Sequence, residues 1–284
     1  MMVCSGILER LVAGRWIAGP FIADAITRSK RINSLGIRPI INYLGEEFSS
    51  ETDVNDAVAT YIKLISEIRK SRIKADISLK ASQLGLRISE GMFMGNYSRI
   101  VAEARRNNVF VWLDMESAAD VDATISAYTA QLKSGDGVGI CIQSYLKRSG
   151  SDIRSLSKSG AVIRLVKGAY SSTRRLAYQS RLETTANYAR LMKYLFSHAK
   201  EFVIATHDPG MVSMAQRLNA AHRKHVGYAM LNGISNKRAI KLAREGNHVE
   251  IYVPFGTRWL SYSYRRLKEA SNLSLVLRSV LGGG

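Results

Sequence analysis

The sequence predicts an α/β protein: a distorted (β/α)8 barrel of the TIM type over residues 38–284, preceded by an extra N-terminal helical segment over residues 1–37. Three observations predict it. Short runs rich in Val and Ile recur along the chain and are almost continuously apolar, as strands are when both faces of a parallel sheet are covered. Segments with apolar residues at helical spacing alternate with them, which reads as repeated βα units. The 284 residues are close to the roughly 250 that eight such units occupy.

The strands are expected, in order, at Arg38–Leu44, Ala75–Lys80, Val109–Met115, Val138–Tyr145, Ala161–Val166, Glu201–Thr206, His225–Leu231 and His248–Val253. The first helix after a strand is expected at Glu51–Arg72, where Val54, Val58, Tyr61, Ile62, Ile65 and Ile68 follow the i, i+3, i+4 rhythm and Thr52 or Asp53 is placed to cap the start. Asp120–Leu132, Arg174–His198, Pro209–His222, Asn236–Glu245 and Arg258–Ala270 read similarly. Pro209 suits a first helical turn, where its missing N–H would have no partner anyway.

Composition narrows the class. The chain is 46% hydrophobic with only four prolines, enough for a substantial core and too ordered for a linker. Cys4 and Cys141 stand in no CxxC or Cys/His cluster and are expected as reduced thiols. No apolar run approaches the ~20 residues of a membrane span, and Glu9 and Arg10 interrupt the apolar N-terminus, which lacks the order of a signal peptide. A cytoplasmic protein is expected, or one peripheral to a membrane. The net charge of +18 is scattered and is read first as solvated helix faces, second as attraction to an anionic membrane surface or to nucleic acid. No nucleic-acid motif accompanies it, so no nucleic-acid partner is expected.

Ionisable residues gather at the C-terminal ends of the expected strands, the catalytic face of such a barrel. Lys80 closes the second, Asp114 and Glu116 the third, Gln143 and Tyr145 the fourth. The fifth carries Arg164 and then Lys167, Gly168, Ala169 and Tyr170; the sixth ends in Thr206, His207 and Asp208; Tyr252 ends the eighth. Buried charge is costly unless paired or used, so their convergence reads as a functional pocket. Arg164, inside an apolar strand, offers planar donors to a cofactor ring nitrogen; Gly168 admits a close backbone approach; Lys167 is placed to reach a phosphate. Near the C-terminus Tyr262, Arg265, Arg266 and Glu269 share one helical face, and the two arginines form a bidentate anchor for a carboxylate. No HExxH, GxGxxG, GxxxxGK[ST] or GxSxG is present, so no metal site and no Rossmann-type dinucleotide site is expected.

The stretch RLVKGAY (Arg164–Tyr170) resembles the proline dehydrogenase family, as do ATH (Ala205–His207), WLDMES (Trp112–Ser117), and YVPFG (Tyr252–Gly256) followed by YSYRRLKE (Tyr262–Glu269). NYLGE (Asn42–Glu46) and SLKAS (Ser78–Ser82) are similar to it too. The resemblance implies a distorted barrel holding non-covalent FAD and oxidising L-proline to 1-pyrroline-5-carboxylate. Hydride would pass from the ring carbon beside nitrogen to the flavin, and electrons onward to a quinone-type acceptor. Carried over by position, Arg265 and Arg266 would clamp the carboxylate, with Lys80 beside it or paired with Glu269. Leu231, Tyr252 and Tyr262 would wall the pocket, Asp114 would support substrate and flavin, and Arg164 would approach the reactive flavin nitrogen. Gln143, Lys167, Gly168, Ala169, Tyr170, Thr206 and His207 would line the rest of the FAD. The chain departs from the family at Gly227–Met230 and at Ser171. Two other readings compete: a Schiff-base aldolase using Lys80 or Lys167 with a depressed pKa, and a basic nucleic-acid-binding protein.

Overall fold

The computed structural model describes residues 16–259. Its strands are β1 Arg38–Tyr43, β2 Asp76–Lys80, β3 Val111–Asp114, β4 Val138–Gln143, β5 Val162–Val166, β6 Glu201–Ala205, β7 His225–Leu231 and β8 His248–Phe255. They close into one parallel barrel in sequence order, β8 pairing back onto β1. Around it run α1 Ile22–Asn33, α2 Glu51–Lys70, α3 Glu90–Arg106, α4 Val121–Lys133, α5 Ser149–Lys158, α6 Arg181–His198, α7 Pro209–His222 and α8 Asn236–Arg244.

Every expected strand is present, β7 with its expected ends and the others shifted by a residue or two. Caps explain where the helices differ. Helix α2 starts at Glu51 because the Ser50 hydroxyl accepts the Asp53 amide at 3.1 Å, so Ser50 is the cap and not Thr52 or Asp53. Helix α6 starts at Arg181 rather than Arg174, since Ser180 and Glu183 form a capping box. The chain from Arg174 is instead tied to the preceding loop by a Leu146–Ala177 bridge and a 2.7 Å bond from Lys147 Nζ to the Arg174 carbonyl. Pro209 does open α7, with Asp208 as cap. Two helices were not expected. Helix α3 carried a readable signal, burying Phe93, Tyr97, Ile100, Val101 and Ala104 along one stripe. Helix α5 is serine-rich and buries Ser149, Ile153 and Leu156, too few apolar positions to show a period. The expected helix 258–270 lies beyond the described residues apart from its first two, which are not helical.

Alternation along each strand divides the core in two. Ile41, Ile77, Leu79, Val111, Leu113, Ile140, Ile163 and their equivalents point outward and pack under the helices. Helix α1 joins that outer layer through Ala25, Ile26 and Ile32, lying over β1 and β8 outside the barrel. The other set points into the lumen, where Ile40, Trp112, Val203 and Ala229 form an apolar layer with Phe110, Val162, Ala205 and Tyr252 around it. Gly139 makes room for that layer: a Cβ there would fall 2.5 Å from the Trp112 ring. Below it, at the N-terminal ends of the strands, Arg38 pairs with Asp76 at 2.6 Å and His248 with Glu250 at 3.1 Å.

Overpacking a filled layer costs about 1–3 kcal/mol. Gly139→Ala should therefore lower the unfolding free energy by about that amount with little change in the fold, as read by urea denaturation and far-UV circular dichroism. An unchanged transition midpoint would show that the Trp112 layer has slack.

Candidate active site

The inward residues at the C-terminal ends of the strands converge on one carboxylate. Asp114, last residue of β3, is buried and accepts five hydrogen bonds. Its Oδ1 takes Ser78 Oγ at 2.8 Å, Arg164 Nη2 at 2.6 Å and the Cys141 thiol at 3.3 Å. Its Oδ2 takes Tyr252 Oη at 2.8 Å and Lys80 Nζ at 3.2 Å. The donors come from β2, β4, β5 and β8, and the barrel closure alone brings them together.

The charges hold one another in place. Burial opposes ionisation of Asp114, but Lys80 and Arg164 outweigh it and keep the carboxyl well below the usual carboxylate range. Burial likewise works against the Lys80 ammonium, and Tyr252 and Asp114 reverse it, so its pKa stands well above the ordinary lysine value. Glu46, on the loop after β1, sits 3.6 Å from Lys80 Nζ and accepts the Tyr170 hydroxyl at 3.4 Å. Arg164 is sandwiched: its guanidinium carbon lies 4.7 Å from the Trp112 ring centre and 5.7 Å from that of Tyr252.

The other expected residues line the same rim. Gln143 Nε2 donates to the Met115 carbonyl at 2.9 Å. Lys167 Nζ reaches Thr185 Oγ1 at 3.1 Å and Asp208 Oδ2 at 3.2 Å. Thr206 Oγ1 accepts the Asp208 amide, and His207 Nε2 accepts the Leu231 amide at 3.3 Å. Leu231 stands opposite Tyr252 in the β7–β8 register. One reading needs correction. Tyr252 does not end its strand: β8 runs on to Phe255, and Tyr252 points into the lumen. Gly168 is also required by the fold, because a Cβ there would lie 2.3 Å from the Tyr145 ring and φ is +103°. Lys80 has Asp114 and Glu46 as partners; Glu269, one of the two partners expected for it, lies outside the described residues, with Tyr262, Arg265 and Arg266.

Sequence reasoning missed three members. Ser78 was readable, since Asp76, Ser78 and Lys80 put polar atoms on one face of β2. Glu46 sits on a loop without periodicity, and its one signal was its place at the end of the NYLGE stretch. Cys141, in a fully buried strand, looks like any small apolar residue.

A parallel barrel with a compensated charge network at the C-terminal mouth and an apolar layer beneath it is the architecture of a (β/α)8-barrel enzyme. Comparison with known proteins refines that class. The family model described as proline dehydrogenase matches residues 25–278. Proline dehydrogenase 1 of Bacillus subtilis (strain 168) is 33% identical over 276 residues, covering 96% of this chain and 91% of its own. Proline dehydrogenase of Deinococcus radiodurans is 32% identical over 284 residues, with the same coverage of 96% and 91%. Among solved structures, proline utilization A from Bdellovibrio bacteriovorus, inactivated by N-propargylglycine, superposes with a TM-score of 0.88 at 23% identity. It covers 98% of this chain, which spans 34% of that larger one. The chain belongs to the proline dehydrogenase family.

One carboxylate at the rim gives a pH signature. Burial raises Glu116, held by the Ser82 amide and hydroxyl, from the ordinary 4.5 to about 7. A raised carboxyl contributes stability that is complete below its unfolded pKa and is lost as pH rises through the folded one. Stability should therefore fall between pH ~4.5 and 7 by an increment that Glu116→Gln removes. Urea unfolding across that range checks it; parallel pH slopes for both proteins would show that Glu116 is ionised throughout.

Proposed function

We infer that this chain is a flavin-dependent proline dehydrogenase that oxidises L-proline to 1-pyrroline-5-carboxylate and passes the electrons to a quinone-type acceptor. The observation that supports it most is the Asp114 network, whose members Lys80, Arg164 and Tyr252 fall within the stretches shared with the family.

The residues at the rim fit FAD. Arg164 Nη1 and Gln143 Oε1 are buried polar atoms without a hydrogen-bond partner, a donor and an acceptor on adjacent strands. Such a pair suits the edge of a planar ring that carries both kinds of group. Lys167 supplies a cation for the phosphates. FAD, when bound, supplies the hydride acceptor. The protein's own residues do the rest: Arg164 holds positive charge beside the ring, Asp114 fixes Arg164 and Lys80, and Tyr252 and Leu231 wall the substrate ring. Arg265 and Arg266 are the proposed clamp for the carboxylate.

The Schiff-base alternative requires a neutral lysine, and the raised pKa of Lys80 keeps that side chain protonated. No helix among the described residues is long and apolar enough to cross a membrane. The +18 charge supports contact with an anionic membrane surface, where a quinone would reside.

Purified protein should be yellow, and anaerobic addition of L-proline should bleach the flavin band. A colourless protein, or one whose flavin stays oxidised with excess proline, would remove the assignment. Arg164→Met should reduce flavin content and the rate of flavin reduction more than it alters the apparent proline affinity. Arg265→Met or Arg266→Met should raise the proline KM by roughly 10-fold or more, the loss of a charge-assisted bond, with flavin retained. An unaltered KM would take those arginines out of the clamp.

A further inference from the structure

We propose that Cys141 is a positioning residue, which orients the Arg164 guanidinium toward the flavin. The inference rests on the flavoenzyme reading above and assigns a role to a side chain that reading does not use.

Cys141 stands directly across from Arg164 in the β4–β5 register and points into the lumen. Its sulfur accepts the Arg164 Nε–H at 2.9 Å, and its S–H donates to Asp114 Oδ1 at 3.3 Å. Both capacities of the thiol are thus used, one on each member of the Arg164–Asp114 ion pair. The remaining contacts complete the frame. Nη2 is held by Asp114 and by Ser78 Oγ at 3.1 Å, while Trp112 and Tyr252 flank the guanidinium.

A guanidinium bound at Nη2 alone can still pivot about that bond. A second anchor at Nε fixes its plane, because the two nitrogens sit on one edge of a rigid fork. With that edge engaged, Nη1 remains as the buried guanidinium nitrogen without a partner. Cys141 therefore decides which nitrogen is left to meet a ligand. Burial pushes its thiol up to about 12, so it remains S–H and keeps both roles at physiological pH. It is held as a neutral hydrogen-bonding group, and no nucleophilic or redox step is assigned to it.

Three variants test this. Cys141→Val fills the volume and provides neither donor nor acceptor. Cys141→Ala removes both and leaves space. Cys141→Ser restores both with a shorter bond. Each is prepared as apoprotein and titrated with FAD by fluorescence quenching; the reconstituted form is then scanned in the visible and assayed with proline. For Cys141→Val and Cys141→Ala the FAD Kd should rise and kcat fall, each by roughly tenfold, the value of a bond to a charged group. The visible flavin band should shift and the proline KM stay within about twofold, since the clamp is untouched. Cys141→Ser should recover most of both losses. A merely structural cysteine would lower the melting temperature and leave the flavin band and Kd as they were.

Wild-type FAD affinity, spectrum and kcat in a folded Cys141→Val would overturn the proposal. So would a Cys141→Ser protein as impaired as the valine variant. If Cys141→Ala does not fold, the valine and serine variants carry the same decision. Failure of the wild-type apoprotein to bind FAD would instead overturn the underlying flavoenzyme reading.

Discussion

The upper half of this barrel depends on compensating one buried carboxylate. Asp114 loses its hydration on folding, and such a loss is tolerated only when cations and hydrogen bonds replace the water. The protein supplies Arg164 and Lys80 as countercharges and Ser78, Tyr252 and Cys141 as further donors. Because these arise from separate strands, each must arrive in register for the sum to balance. The site is therefore tied to the closure of the sheet: displacing any contributing strand by one residue would turn its polar side chain outward, beneath the helices. Rigidity of this kind is what a barrel enzyme needs, since its chemistry relies on orientation.

The layer around Trp112 gives that network its floor. It separates the C-terminal mouth from the opposite end, where Arg38, Asp76, His248 and Glu250 line a cavity of ≈ 470 Å³ together with Phe110 and Trp112. Below, Arg38 pairs with Asp76 and His248 with Glu250, whose Oε2 is buried without a partner. Above, Arg164 and Gln143 each keep one buried atom unpaired. Unmet hydrogen-bonding capacity at a mouth built by strand C-termini is where a barrel of this kind accommodates a ligand.

Local signals carried the fold a long way. Short apolar runs located all the strands, and Pro209 marked the start of its helix, because strand burial and helix entry are decided by neighbouring residues. Boundaries were less readable where a cap competed with the apolar rhythm, as at Ser50 and Ser180. Helix α5 escaped because three buried side chains cannot set a period. Within the site, Lys80, Asp114 and Arg164 stood out as charges in apolar surroundings. Cys141 did not, since nothing in its neighbourhood distinguishes a thiol that bonds from one that packs.

What the sequence determined by itself was the alternation of strand and helix, the polar character of the strand ends and the stretches shared with a family. These follow from side-chain chemistry within about ten residues of a given position. The tertiary structure decided which face of each strand looks inward, and so which polar residues meet. Ser78 and Arg164 are 86 positions apart and Tyr252 and Asp114 138 apart, yet they bond at 3.1 Å and 2.8 Å. No local pattern encodes such a pairing: it exists only once the eight strands have closed and the lumen has excluded water, leaving each buried charge no partner but the others.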